Sequence, residues 1–216
     1  MREIVLDLGS GKFNPDLMKK DDNVSVIHID RCFRGLEVSS TMDQVMNDIM
    51  NSGDSLKDNY FCGYDIFEFL DNFPYKGINK IISNRFFEHL EYCGGEVGRM
   101  LEACNNITLP VATLEIVVPN ALTLCKMLCS CEELDNYSDN DVMILNTEFC
   151  NGKFDPHATI WTPNLARKYI DQEATWKITK IIEKYPFAGR DIYMKIFCTK
   201  PQGTQHNHEL DNIETK

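Results

Sequence analysis

The sequence predicts an α/β protein built on a seven-stranded, mostly parallel sheet, with helices on both faces and an antiparallel hairpin at its C-terminal end. Three observations carry this expectation. Short apolar runs alternate with segments of helical length through the first 118 residues. The first run stops in a glycine turn, Asp7-Leu8-Gly9-Ser10-Gly11, as a buried strand of an open α/β sheet does. The last two runs are joined by five residues, Pro186 to Arg190, which is too short for a parallel crossover but permits an antiparallel pair.

Taken in order, Ile4-Val5-Leu6 reads as the first strand. Residues 24–29, VSVIHI, form a second, rich in β-branched side chains and ended by Asp30. Residues 60–64 form a third, ended by Asp65; residues 78–83, INKIIS, a fourth; residues 111–118, VATLEIVV, a fifth. Helices are expected over 42–50, 66–72 and 88–105, and over 119–131 with Pro119 near the first turn. Residues 132–154 are acidic and polar, with a short apolar run at 142–145. Thr162-Pro163 is a helix start, with threonine as cap and proline at the first position, and the helix runs to 173. Residues 176–185 and 191–199 are the hairpin strands. The domain reading is one unit over 1–200 with an insertion at about 132–155, followed by a polar, disordered tail over 201–216.

Composition bounds the function. The 216 residues suit one domain, and 43% hydrophobic with 25% charged residues excludes wholesale disorder. The net charge of −11 disfavours non-specific binding to nucleic acid or to an anionic membrane surface. The nine cysteines are odd in number and lack the spacing of a disulfide framework. The opening residues MREIVLD reach an acid too early for a signal peptide, and no apolar run is long enough to cross a bilayer. A cytoplasmic location with free thiols is the simplest expectation; the oligomeric state is left open.

The turn after the first strand lies at the carboxyl edge of such a sheet, where ligands bind. Nineteen residues after Gly11 comes Asp30, a carboxylate placed to accept hydrogen bonds from both hydroxyls of a ribose. Dinucleotides and S-adenosylmethionine both fit this arrangement. The dinucleotide fingerprint G-x-G-x-x-G is broken, however, because Gly9-Ser10-Gly11-Lys12-Phe13-Asn14 lacks the last glycine. That glycine lets a helix start tight against the strand and hold a pyrophosphate. Asp7 points the same way, since a carboxylate repels a pyrophosphate but suits the ammonium of a methionine moiety.

The stretch IVLDLGSGKFNP resembles motif I of the class I S-adenosylmethionine-dependent methyltransferases, whose fold is a Rossmann-like sheet. Asp30 in VIHIDR matches that family's ribose-binding acid, and Asp65 in GYDIFEFL its acid after the third strand. INKIISNRFFEHL and HATIWTPNLARKYI resemble later segments of the small-molecule-type branch. Phe13, where many members carry glycine, and the insertion depart from the pattern. The resemblance implies a methyltransferase acting on a small molecule or a modified sugar or nucleotide. It implies that Asp7, Gly9, Ser10 and Gly11 line the methionine end of the cofactor. Asp30 and Arg31 would face the ribose and adenine edge, Asp65 and Ile66 would hold adenine, and Asn84 and Arg85 would sit beside the reactive methyl.

If the acceptor is a hydroxyl or a protonated amine, a general base is needed, and His89 and His157 are the candidates. The alternatives are a histidine packed beside a helix-start carboxylate, Glu88, and a histidine that positions the loop before Thr162. No metal centre is expected: Cys125, Cys129 and Cys131 cluster without a second ligand pair of zinc-site spacing. Trp161 and Trp176 read as core or hairpin residues, and His206 and His208 as tail. The insertion is a candidate lid over the substrate. Two rivals stand beside the methyltransferase reading, a fold-sharing scaffold without catalysis and a nicotinamide-dependent oxidoreductase.

Overall fold

The computed structural model describes residues 2–11, 21, 23–31, 38–51, 56–129, 157–172, 175–187 and 190–201. Phe13, Cys131, the insertion with its lid role, His206, His208 and the tail from 202 on lie outside the described residues. Seven strands form one sheet: β1 (Glu3–Leu8), β2 (Val24–Ile29), β3 (Asn59–Cys62), β4 (Ile78–Asn84), β5 (Thr108–Pro119), β6 (Lys177–Phe187) and β7 (Arg190–Thr199). Their order is β3-β2-β1-β4-β5-β7-β6. The first five are parallel, and β7 pairs antiparallel with both β5 and β6.

The helices are α1 (Met42–Met50), α2 (Ile66–Asn72), α3 (Glu96–Ile107), α4 (Ala121–Cys129) and α5 (Pro163–Asp171). The alternation of side chains along each strand sorts the core. Ile4, Leu6 and Leu8 of β1, with Leu114, Ile116 and Val118 of β5, face α1, α2, α3 and α5 in the main cluster. On the opposite face Val117 and Tyr193 pack with Leu124 of α4, and Val5, Val26 and Ile82 form a small separate cluster.

Several boundaries differ from the sequence expectation: β5 starts three residues early at Thr108, β3 ends at Cys62, the last helix ends at Asp171, and three further differences change the architecture. The helix expected over 88–105 is divided: Phe87–His89 is a 3-10 turn, and α3 begins only at Glu96. Gly94 and Gly95 break the run, and Gly95 adopts a left-handed φ of 77° at the helix start. Glu88 therefore does not open a helix. Pro119 is the last residue of β5, not part of the next helix; α4 starts after Asn120, whose Oδ1 accepts from the Leu122 N–H at 3.1 Å. The hairpin strands extend inward to Phe187 and Arg190, so the connection is residues 188–189 and not five residues. The helix expectations over 42–50 and 66–72 agree with α1 and α2.

The two tryptophans are core residues, as expected. Trp161 is buried edge-on against Phe87 and Tyr169, and Trp176 donates its indole N–H to the Leu101 carbonyl at 2.9 Å. Cys62, Cys93, Cys104, Cys125 and Cys198 are free thiols. Burial pushes the thiols of Cys62, Cys104 and Cys198 up to about 12, so they are inert packing groups. No described helix is long and apolar enough to cross a membrane.

Candidate functional site

The chain leaves β1 toward β2 on one side, while β4 lies on the other. The parallel strands β1 and β4 thus bound a topological switch point, and their carboxyl ends are where a ligand crevice opens. Every residue carried over by the resemblance lies on this edge except Asp7, which precedes it by one residue on β1, and Ile66, which turns into the core.

Gly9 follows β1 with a φ of 69° and donates its N–H to the Ile29 carbonyl at 3.0 Å. A Cβ on Gly9 would meet the Phe86 Cβ at 2.6 Å, so the space beside this glycine holds a phenylalanine from the end of β4. Glycine stands here because of Phe86 and the left-handed backbone. Ser10 is buried. The Gly11 N–H donates to Asp30 Oδ2 at 2.8 Å, and a Cβ on Gly11 would lie 3.2 Å from that oxygen. The glycine turn and the acid after β2 are thus joined directly.

Asp7 and His28 sit opposite each other in the β1–β2 register. Both are buried, and His28 Nδ1 lies 2.9 Å from Asp7 Oδ2. The other ring nitrogen, Nε2, is 3.1 Å from Asn59 Oδ1, and the ring stacks on Phe61. This row across β1, β2 and β3 was missed at the sequence level. Its only signal was a polar residue inside the apolar run VSVIHI. Asp7 Oδ1 is buried without a hydrogen-bond partner. An orphaned carboxylate oxygen one residue before Leu8 and Gly9 is an acceptor that a ligand ammonium would satisfy, so the residues present fit the amino-acid end of S-adenosylmethionine.

Arg31 and Asp65 form an ion pair across the ends of β2 and β3. Asp65 also caps α2, its Oδ1 accepting from the Glu68 N–H at 3.0 Å. Its carboxylate is thereby engaged at both oxygens, and Ile66 packs in the main core. Any contact these two positions make with an adenine therefore falls to what surrounds them, not to a free Asp65 carboxylate. Asn84 ends β4, in register with Val117. Arg85 takes a left-handed φ of 59°, uncommon for a side chain of this size. Its N–H donates to the Val117 carbonyl at 2.8 Å, and its guanidinium lies over the Tyr193 ring at 5.6 Å and 3.8 Å from Glu88 Oε1. Strain of this kind gathers at functional sites.

The two histidines come together. Their rings lie 5.0 Å apart, edge to face, although they are far apart in sequence. Glu88, nine-tenths or more buried, lies with its Oε1 4.0 Å from His89 Nε2. The segment after His157 is fastened to the 3-10 turn: the Ala158 and Thr159 N–H groups donate to the Glu88 carbonyl at 2.8 and 3.0 Å. The Thr159 hydroxyl in turn donates to the Leu90 carbonyl and accepts from the Tyr92 N–H. Ala158 and Thr159 thus hold the loop before Thr162 against the 3-10 turn, with the His157 ring beside His89. Cys125 is exposed on α4.

No protein-family model matches the chain, and no curated protein matches it significantly in sequence. Solved structures do match. A SAM-dependent methyltransferase of Methanosarcina mazei superposes with a TM-score of 0.54 at 14% identity, over 94% of each chain. The S-adenosylmethionine-dependent methyltransferase SibL superposes with a TM-score of 0.55 at 14% identity, over 93% of this chain and 51% of its own. The pyocyanin biosynthetic protein PhzM does so at 0.55 and 12% identity, over 92% of this chain and 50% of its own. The chain thus spans about half the length of SibL and PhzM. At these identities the likeness is one of architecture: the seven-stranded sheet, its strand order and its terminal hairpin are those of the class I S-adenosylmethionine-dependent methyltransferases, and that is the fold to which this chain belongs.

Proposed function

We propose that the chain is a methyltransferase that takes S-adenosylmethionine and methylates a small molecule or a modified sugar or nucleotide. The observation that carries the reading is the join between Gly11 and Asp30 at the carboxyl edge, beside the orphaned Asp7 oxygen. Bound there, the cofactor would bring an already activated methyl, so alignment is most of the protein's task. Asp30 would exchange its Gly11 contact for, or share it with, the ribose hydroxyls. Asp7 would accept from the ammonium. On the acceptor side, His89 or His157 would take a proton, and Glu88 beside them would stabilise the resulting imidazolium. The small-molecule class draws support from the negative chain and from PhzM, a fold neighbour named for the biosynthesis of pyocyanin.

One observation favours the second reading, a scaffold without catalysis: Phe86 already fills the space beside Gly9. Calorimetric titration with S-adenosylhomocysteine, with NAD, and with an Asp30→Ala variant separates the readings. Micromolar binding of the homocysteine compound, weakened about tenfold or more in the variant and absent for NAD, is the expected result. A folded protein that binds neither compound would replace the methyltransferase reading with the scaffold.

A further inference from the structure

We infer that Glu88, His89 and His157 form a binding site for a single divalent cation of the first transition row. The inference does not rest on the methyl-transfer reading. One ligand atom from each residue lies within 4.8 Å of the other two, close enough for small side-chain rotations to bring all three onto one ion. The side-chain set is chemically coherent. Two neutral imidazoles with one carboxylate is a borderline ligand set, suited to zinc, iron, cobalt or nickel rather than to magnesium or calcium. Three protein ligands also leave coordination positions for water or an oxygen of a bound molecule.

Burial supplies an independent argument. The Glu88 side chain is 1% exposed, and a carboxylate at that depth needs positive charge close by. Among the described residues Arg85 is one cationic side chain near it, at 3.8 Å from Oε1 and lying over the Tyr193 ring. The two imidazoles are set on the same carboxylate's surroundings, with His89 Nε2 at 4.0 Å. A cation between them would add to the positive charge that the arginine supplies. Because Arg85 takes part of the carboxylate's charge, micromolar rather than nanomolar affinity is expected.

The backbone holds this arrangement in advance. His157 reaches Glu88 through the paired N–H donors of Ala158 and Thr159 on the Glu88 carbonyl, and through Thr159 to Leu90 and Tyr92. Ligands from two distant segments are thereby clamped to each other by main-chain bonds that do not involve the imidazoles. That is the rigidity a metal site requires of its supporting shell. With a metal bound, both imidazoles would be neutral ligands, and the ion would supply Lewis acidity at its open positions.

The test uses cobalt(II) and the full chain carrying His206→Ala and His208→Ala, so that those two histidines cannot compete. Cobalt reports its own ligands: nitrogen and oxygen donors give weak visible bands, whereas any of the nine cysteines would add an intense thiolate charge-transfer band. The expected result is one cobalt per chain without the thiolate band. Affinity should fall about tenfold or more in His157→Ala and in His89→Ala, with melting temperature little changed. Both histidines are partly exposed, so these variants are expected to fold, whereas Glu88→Gln alters a buried group and serves only as a supplement. Absence of cobalt binding, a thiolate spectrum, or binding unchanged in His157→Ala would overturn the inference. S-adenosylhomocysteine is left out of the titration, so failure here leaves the cofactor reading to its own test.

Discussion

Gly9 and Gly95 both hold a left-handed backbone, yet their surroundings differ. A Cβ on Gly9 would lie 2.6 Å from Phe86, while a Cβ on Gly95 would meet nothing within 4 Å. Gly95→Ala should therefore cost only the conformational penalty, about 1–2 kcal/mol. Gly9→Ala adds a clash in which either Phe86 or the turn must move, and should cost about 1–3 kcal/mol more. Chemical denaturation of the two variants checks this. Equal losses would show that Phe86 gives way freely, and the packing of Phe86 on the turn would lose its claim to structural weight. At this scale the sequence made Asp30 and Gly11 legible, because a spacing of nineteen residues joins two strand ends that are neighbours in any such sheet. Asp7 was legible as a site residue but not as the partner of His28. That pairing depends on which face each side chain takes in the β1–β2 register.

Elements were legible where the local signals agree. Thr162-Pro163 is such a place: the threonine hydroxyl accepts from the Leu165 N–H at 3.1 Å, and proline occupies the first turn of α5. Thr162→Ala removes that bond and should cost about 1 kcal/mol. In a chain of 216 residues that corresponds to a fall in melting temperature of about 2–4 °C. A scanning-calorimetry trace indistinguishable from wild type would mean that the helix start is held by packing of Ala166, Tyr169 and Ile170 instead. The segment 88–105 shows the opposite case. Its apolar spacing reads as one helix, yet Glu88 and His89 belong to a 3-10 turn because the glycines at 94 and 95 interrupt the run. The division has a functional consequence. It places Glu88 and His89 at the carboxyl end of β4, against the segment that carries His157.

Across the whole sheet, β4, β5 and β7 are linked by a row of charge on the face that α4 partly covers. Lys80 and Lys195 approach the two oxygens of Glu115 at 2.5 and 2.7 Å. Burial alone would push the Glu115 carboxyl up, but the hydrogen bonds from Lys195 and Lys80 outweigh it and hold the group below the usual glutamate range. A carboxyl depressed on folding contributes stability above its unfolded pKa, and that contribution is lost as pH falls through the folded value. The stability gap between wild type and Glu115→Gln should thus be widest near neutrality, begin to narrow as the pH falls to the ordinary glutamate value of about 4.3, and close only below the depressed folded value. Urea unfolding at several pH values measures it. A gap that does not change with pH would mean that Glu115 acts by packing rather than by charge.

The alternation of strands and helices, the glycine turn, the α5 cap and the antiparallel finish are all written in local sequence. Each follows from side-chain periodicity or backbone preference within a few neighbouring residues. Long-range folding is what puts Phe86 beside Gly9, sets Asp7 against His28, and brings Glu88, His89 and His157 together. These contacts join residues from different strands and loops, and their energies depend on register, face and depth of burial. No local stretch of sequence encodes those quantities; they exist only once the sheet has closed the distance between its strand ends.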